Sequence, residues 1–221
     1  TVQKAAQYGM FVDIHDNYCP SGMNRTWPNL LTQECVRGNE KFPGAEHNTT
    51  LPFTRMLLGP ADYTIPYYDL DPKTREPLKR LNTSRAHQMA LSVLYFSPLT
   101  FLFWYDTPHD YNNEPEVDFF KDLPTRWDET RVLRDEIGDQ VTIARRSGET
   151  WFIGSITDGT ARTVELALDF LPTGESFILH LYQDGGGTVV SQSIAAVTNT
   201  DVLTLELPAN GGNAIRLEPA P

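Results

Sequence analysis

Basic residues are scarce in this sequence. Its 221 residues hold 18 lysines and arginines against 29 aspartates and glutamates, a formal net charge of −11. From Gly148 to the C-terminus, Arg162 and Arg216 are the only two. With no basic cluster to neutralise phosphates, nucleic acid is excluded as a partner. Cysteine is nearly as rare: Cys19 and Cys35 are too few for a disulfide scaffold. Two free thiols are the expected state, with a local bridge as the alternative. No run of about 18 apolar residues exists, so no membrane-spanning helix is expected. The first residues, TVQKAAQYG, read as the end of an amphipathic helix and not as a signal peptide. Localisation is left open by these features.

What the chain does have is a concentration of ionisable groups between His15 and Glu40. A short apolar strand, Met10 to Ile14, is interrupted by Asp13 and ends in His15 and Asp16. Asp13 is expected to be a paired structural carboxylate. A Pro/Ser/Gly loop follows, and Thr26, Pro28 and Gly38 predict a helix between them that carries Glu34. Glu40 lies six residues beyond Glu34, about 240° away on a continuous helix. The two converge only if the backbone turns at Gly38. By residue pattern alone, Glu40 is a solvated surface charge, and Glu34 sits on a helix face that otherwise begins apolar, with an ion pair to Arg37 as the alternative. Charged groups this dense beside apolar sequence are costly unless paired, metal-bound or used in chemistry.

Further along, Ala61 to Ile65 reads as a second apolar strand that contains Asp62, and Asp69 to Pro77 as a polar loop. Thr83 or Ser84 caps a helix with Met89, Val93 and Leu94 on its apolar face, ended by Ser97-Pro98. Leu102 to Tyr105 reads as another apolar run, and a short helix with Phe119 and Phe120 follows. Alternation of strands and helices suggests βα units.

The pattern changes after about Leu123. Short strands are expected at Val132-Leu133, Val141–Arg145, Trp151–Ile156, Thr163–Leu168, Phe177–Tyr182, Val189–Ser191, Val202–Leu207 and Ala214–Leu217. Glycine-containing turns at Gly148, Gly159, Gly185 to Gly187 and Gly211-Gly212 separate several of them. This is the pattern of an antiparallel β-sandwich, read as a supporting module without chemistry of its own.

The segments PSGMNRTWPNLLTQECVRGNE, EHNTTLPFTRMLLGPADYT, HQMALSVLYFSPL and ARRSGETWFIGSITD together resemble glycoside hydrolase family 97 in order and spacing. The resemblance runs along nearly the whole chain. It implies an α/β plus all-β architecture: residues 1–123 as the last βα units of a (β/α)8 catalytic barrel, and 124–221 as a small C-terminal β-sandwich. A full barrel takes about 250 residues, so the resemblance implies that the chain is the C-terminal part of a larger enzyme. The isolated chain is accordingly expected to be inactive, its missing N-terminal portion being a required partner.

The activity implied is hydrolysis of α-glucosidic linkages with calcium (Ca2+) assistance, or of α-galactosides as the alternative; the substrate partner is then an oligosaccharide or α-glycoside. Glu40 matches the general acid, Glu34 a calcium ligand and His15 a substrate-contacting residue. Asp16 stands where inverting members carry a glutamate serving as general base and calcium ligand, and where retaining members carry glycine. It is therefore taken as both catalytic and metal-binding. The family resemblance also suggests a periplasmic or secreted bacterial protein. Two other readings stay open. One is a non-catalytic carbohydrate-binding fragment using Trp27, Trp104, Tyr105 and Trp151 as stacking faces. The other is a structural remnant with exposed edges.

Overall fold

The computed structural model describes residues 1–16, 18–66, 81–103, 114–185 and 189–221. Asp69 to Pro77, Trp104, Tyr105 and part of the Gly185–Gly187 turn lie outside the described residues. Most of the regular secondary structure is antiparallel β-sheet, with a few short helices.

The C-terminal half follows its sequence pattern closely. Each expected strand forms: β5 (Glu129–Glu136), β6 (Gln140–Ser147), β7 (Thr150–Thr157), β8 (Arg162–Ala167), β9 (Ser176–Asp184), β10 (Val190–Thr198), β11 (Val202–Leu207) and β12 (Gly212–Pro219). Six of them form one antiparallel sheet in the order β10-β9-β12-β7-β6-β5, and β8 pairs with β11 as a second, two-stranded layer. Alternation decides which face each residue takes. In β8, Val164 and Leu166 are buried while Thr163, Glu165 and Ala167 are not. These inward residues meet Trp151, Ile153, Leu179, Ile215 and Leu217 of the large sheet, with Leu205 and Leu207 beside them. The result is the sandwich core.

The opposite face of the large sheet is covered by a helix. Ser84 accepts a hydrogen bond from the His87 amide and so caps α4 (Arg85–Leu94). Ala86 to Leu91 and Val93 and Leu94 are all buried, since the helix is enclosed by the sheet on one side and the N-terminal segments on the other. Two glycines let it come close. A Cβ at Gly154 would lie 2.6 Å from the Ala90 carbonyl oxygen, and one at Gly212 would lie 2.8 Å from His87 Cα.

Polar groups register this contact. His87 Nδ1 lies 3.1 Å from the Gly211 carbonyl oxygen, and Nε2 lies 2.9 Å from Asn48 Nδ2. Ser84 Oγ donates to Asp184 at 2.8 Å. The Tyr63 hydroxyl donates to Asn48 Oδ1, and the Tyr95 hydroxyl to the Asn48 carbonyl at 2.9 Å. A helix (α3, Ala45–Thr50), the α4 helix and a turn of the sandwich are thus joined through one buried network.

The N-terminal half departs from expectation at three places. α1 (Val2–Gln7) and β1 (Val12–Ile14) form as read, with Gly9 in the left-handed region. The helix expected to begin at Thr26 and carry Glu34 does not exist. A single-turn helix, α2 (Met23–Thr26), ends there, and Leu30–Gln33 form β2, parallel to β1. Pairing with β1 and burial of Leu30, Thr32 and Gln33 outweigh the weak helical spacing of Leu31 and Cys35. Cys19 and Cys35 are not free thiols: they form a disulfide, with Cα atoms 4.8 Å apart. The reason is the same, because as parallel neighbours β1 and β2 bring the loop after one against the end of the other. The expected strand Ala61–Ile65 shrinks to β3 (Ile65–Pro66), paired in parallel with β4 (Leu102–Phe103). α5 (Pro115–Asp122) closes this half, with Phe119 fully buried.

Burial of His87 has a consequence in pH. Enclosure pushes its pKa from 6.5 to about 4, opposed in part by the hydrogen bond to Gly211. The folded state resists a proton that the unfolded chain accepts near 6.5. The stability contribution is complete above pH 6.5 and is lost as pH falls towards 4, by about 1.4 kcal/mol per pH unit. Urea titrations from pH 7.5 to 4 are expected to show this slope in wild type and to show it flattened in His87→Gln.

Candidate active site

The C-terminal ends of β1 and β2 open into a cleft of about 1240 Å³. His15, Asp16, Glu34, Arg37, Glu40 and Lys41 line it, with Thr64, Phe101 and Leu102. Every residue assigned a role by resemblance therefore borders one space.

His15 leaves β1 between carboxylates. Its Nε2 lies 2.9 Å from Asp62 Oδ2 and 3.2 Å from Asp13 Oδ2, and its Nδ1 lies 3.5 Å from Glu34 Oε2. The Phe101 ring stands edge-on to the imidazole at 5.5 Å. Partial burial pulls the His15 pKa down, but the bond to Asp62 and the charges of Asp13, Asp62 and Glu34 outweigh it, and the net shift is upward. Burial pushes the Asp13 carboxyl up to about 7, reinforced by hydrogen bonding and charge from Asp62. Asp13 is thus paired, as its place in an apolar strand demands.

Asp16 adopts φ +67°, a left-handed backbone that aspartate tolerates better than most residues. Its amide donates to Glu34 Oε2 at 2.5 Å, and its carbonyl accepts from the Cys35 amide at 3.1 Å. The Asp16 side chain is exposed to the cleft.

Glu34, at the end of β2, is nearly buried. Glu40 sits in a 3-10 turn, Asn39–Lys41, with Oε2 buried and without a hydrogen-bond partner. The two carboxylates do converge, though not through a special backbone at Gly38, which is extended (φ −66°, ψ 171°). Space is the reason. A Cβ there would collide with Glu40 Oε2 and stand 3.0 Å from Glu34 Oε1, so glycine lets both carboxylates keep these positions without a side-chain shift.

Two contributors were not anticipated. Asp62, fully buried, holds His15 and also accepts from the backbone amides of Thr64 and Phe101, each at 3.2 Å. It thereby fixes three pieces of the cleft wall. The available signal was a single acid in the apolar run Ala61-Asp62-Tyr63, costly unless paired. Arg55, also buried, donates to the carbonyls of Gln33, Glu34, Cys35, Gly59 and Pro60 at 2.8–3.2 Å. It clamps the β2 terminus that presents Glu34.

For a metal, the described residues offer one grouping of three potential ligands. Asp13, His15 and Asp62 place one potential ligand atom each within 4.8 Å of one another. Glu34 and Glu40 converge over Gly38 in the cleft that Asp16 also lines, and the buried Glu40 Oε2 has no hydrogen-bond partner.

Residues 126–218 match the family model described as "Glycosyl-hydrolase 97 C-terminal, oligomerisation", and residues 1–36 match "Glycoside hydrolase 97". A retaining α-galactosidase of Bacteroides thetaiotaomicron is 32% identical over 238 residues, covering 98% of this chain and 35% of that protein. A probable retaining α-galactosidase of Streptomyces bingchenggensis is 36% identical over 211 residues, covering 95% of this chain and 32% of that protein. A family 97 enzyme from Pseudoalteromonas sp. strain K8, solved in complexes with panose and with acarbose, superposes with TM-score 0.85 at 34% identity, over 100% of this chain and 36% of that one. The chain belongs to glycoside hydrolase family 97. It spans about a third of the length of the curated relatives that it matches.

Arg55→Met tests the clamp. Five carbonyls lose a charged donor, an expected cost of about 3–5 kcal/mol. Chemical denaturation should show that loss, and Arg55→Lys should recover only part of it.

Proposed function

We propose that this chain is the C-terminal part of an α-glycosidase, with residues 1–123 forming the last βα units of a (β/α)8 barrel and 124–221 a β-sandwich through which copies associate. The observation that carries the catalytic reading is the convergence of Glu40 and Glu34 over Gly38, in the cleft that His15 and Asp16 also line. The two parallel strand pairs β1-β2 and β3-β4 support the barrel reading. The oligomerisation named in the matched C-terminal description supports the association. The Cys19–Cys35 bridge fits an oxidising compartment, as a periplasmic or secreted enzyme would meet.

Glu40 acts as general acid: its carboxyl protonates the departing glycosidic oxygen. In a retaining reaction the same carboxylate then takes the proton of the water that releases the sugar, while a second carboxylate forms the glycosyl intermediate. That nucleophile would come from a part of the enzyme outside these residues. His15, anchored through Nε2 on Asp62, presents its ring to the sugar. Glu34 and Asp16 would hold a calcium ion, which supplies positive charge to the substrate oxygens beside it. The two curated relatives favour α-galactosides, and the panose and acarbose complexes of the Pseudoalteromonas enzyme support α-glucosides as the second reading.

The Asp16 backbone favours the retaining course. A left-handed φ is the conformation glycine supplies without strain, so aspartate here occupies a glycine-like site. Hydrolysis of aryl α-galactosides and α-glucosides by the complete enzyme is the test. Glu40→Gln is expected to lower kcat by about 10²-fold or more, least with an activated leaving group. Asp16→Gly is expected to stay active with retention of anomeric configuration. Loss of all activity in Asp16→Gly, with inversion in the parent, would make Asp16 the general base instead.

A further inference from the structure

The two edges of the six-stranded sheet differ sharply in charge. One edge, β5, has the sequence ETRVLRDE, and Glu129, Arg131, Arg134, Asp135 and Glu136 make it charged along its length. Charged side chains on an edge are a standard protection against pairing with another chain. The other edge, β10, has the sequence VSQSIAAVT, nine residues without a charge or a proline. Residues Gln192 to Ala196 are exposed, and Ile194 is 62% exposed. Among the described residues, no backbone hydrogen bond reaches Ser191–Val197 from the side away from β9. An edge strand of this length with free amides and carbonyls is a template for a further strand.

We infer that β10 is the surface on which two copies of this chain associate, pairing edge to edge so that the two sheets become continuous. This rests on the proposal that the sandwich mediates association, and it adds where. Three observations select a second copy as the occupant. The description matched by residues 126–218 names oligomerisation. At a net charge of −11, two copies repel over most of their surface, whereas β10 brings no like charges together. A strand pairing with itself about a two-fold axis must be antiparallel and self-complementary, and small or apolar residues such as Ser193, Ile194, Ala195 and Ala196 satisfy that from both sides.

Sedimentation equilibrium of the 221-residue chain, at concentrations into the high micromolar range, tests the inference. The wild type is expected to dimerise. Ile194→Lys and, separately, Ser193→Lys set like charges against each other across the two-fold axis and should weaken the dimer by on the order of tenfold or more. Both positions are exposed, so circular dichroism, and thermal melting at concentrations low enough to keep all forms monomeric, should be unchanged. Leu57→Ser, at an exposed apolar residue of the N-terminal half, should leave the dimer intact. A monomeric wild type would overturn both the inference and the association reading. A dimer indifferent to both lysine variants, or one abolished by Leu57→Ser, would overturn the β10 assignment while leaving association standing.

Discussion

The close approach of α4 to the large sheet is the constraint on which the other features depend. The sandwich has a core of its own between its two layers, but the outer face of the six-stranded sheet would be an exposed apolar surface without this helix. Gly154 and Gly212 permit the approach because any Cβ would meet Ala90 or His87 backbone. Once the helix is seated, the polar groups at its N-terminal end set its register. Asp184 holds the Ser84 cap, and the Gly211 carbonyl bonds the His87 ring. The other side of α4 carries Gln88, which meets Asn39, the residue beside Glu40. Sandwich, helix and cleft are thus consecutive layers of one packed stack, which gives the sandwich a direct structural hold on the segment that carries Glu40.

The cleft itself shows how a chain accommodates four carboxylates in a small volume. Asp13 and Asp62 share the His15 imidazole. Glu34 accepts an N–H from the backbone of Asp16, and the Arg55 guanidinium lies beneath it on its own strand's carbonyls. Each of these arrangements compensates a desolvated charge with a hydrogen bond or an opposite charge. One buried oxygen of Glu40 has no hydrogen-bond partner within the protein, as is also true of the Asp13 oxygens, which instead face the His15 imidazole. An acceptor left open in a cleft lined by assigned functional groups is what a proton donor to a substrate, or a ligand to a cation, would require.

How much of this was legible before any coordinates follows from how local each determinant is. The eight sandwich strands were read correctly because alternation and glycine turns are properties of adjacent residues, and Ser84 announced α4 for the same reason. β2 was misread as a helix because its identity depends on β1, eighteen residues away, and its own four residues carry no strong preference. The disulfide followed from that same pairing and was missed with it. Asp62 and Arg55 carried only a weak signal, a polar residue within an apolar run, because the partners that matter to the cleft, His15 for Asp62 and Cys35 for Arg55, lie 47 and 20 residues distant. The site residues were named from family resemblance alone. Periodicity ranked Glu40 lowest, since the space at Gly38 in which Glu34 and Glu40 meet leaves no periodic trace.

The misread strand also bears on the chemistry. On a helix, Glu34 would sit on a surface that turns by about 100° per residue, free to place its carboxylate against Arg37. On β2 it stands at the end of a parallel pair, where neighbouring strands deliver their next residues to the same side. His15 and Asp16 follow β1, and Glu34 follows β2, so adjacency of the strands is adjacency of the functional groups. The Cys19–Cys35 bridge closes the loops beyond those same two strands, tying the Asp16 turn to the residue after Glu34. The left-handed turn at Asp16 and the amide it directs at Glu34 are therefore held from both ends, by strand pairing on one side and a covalent link on the other.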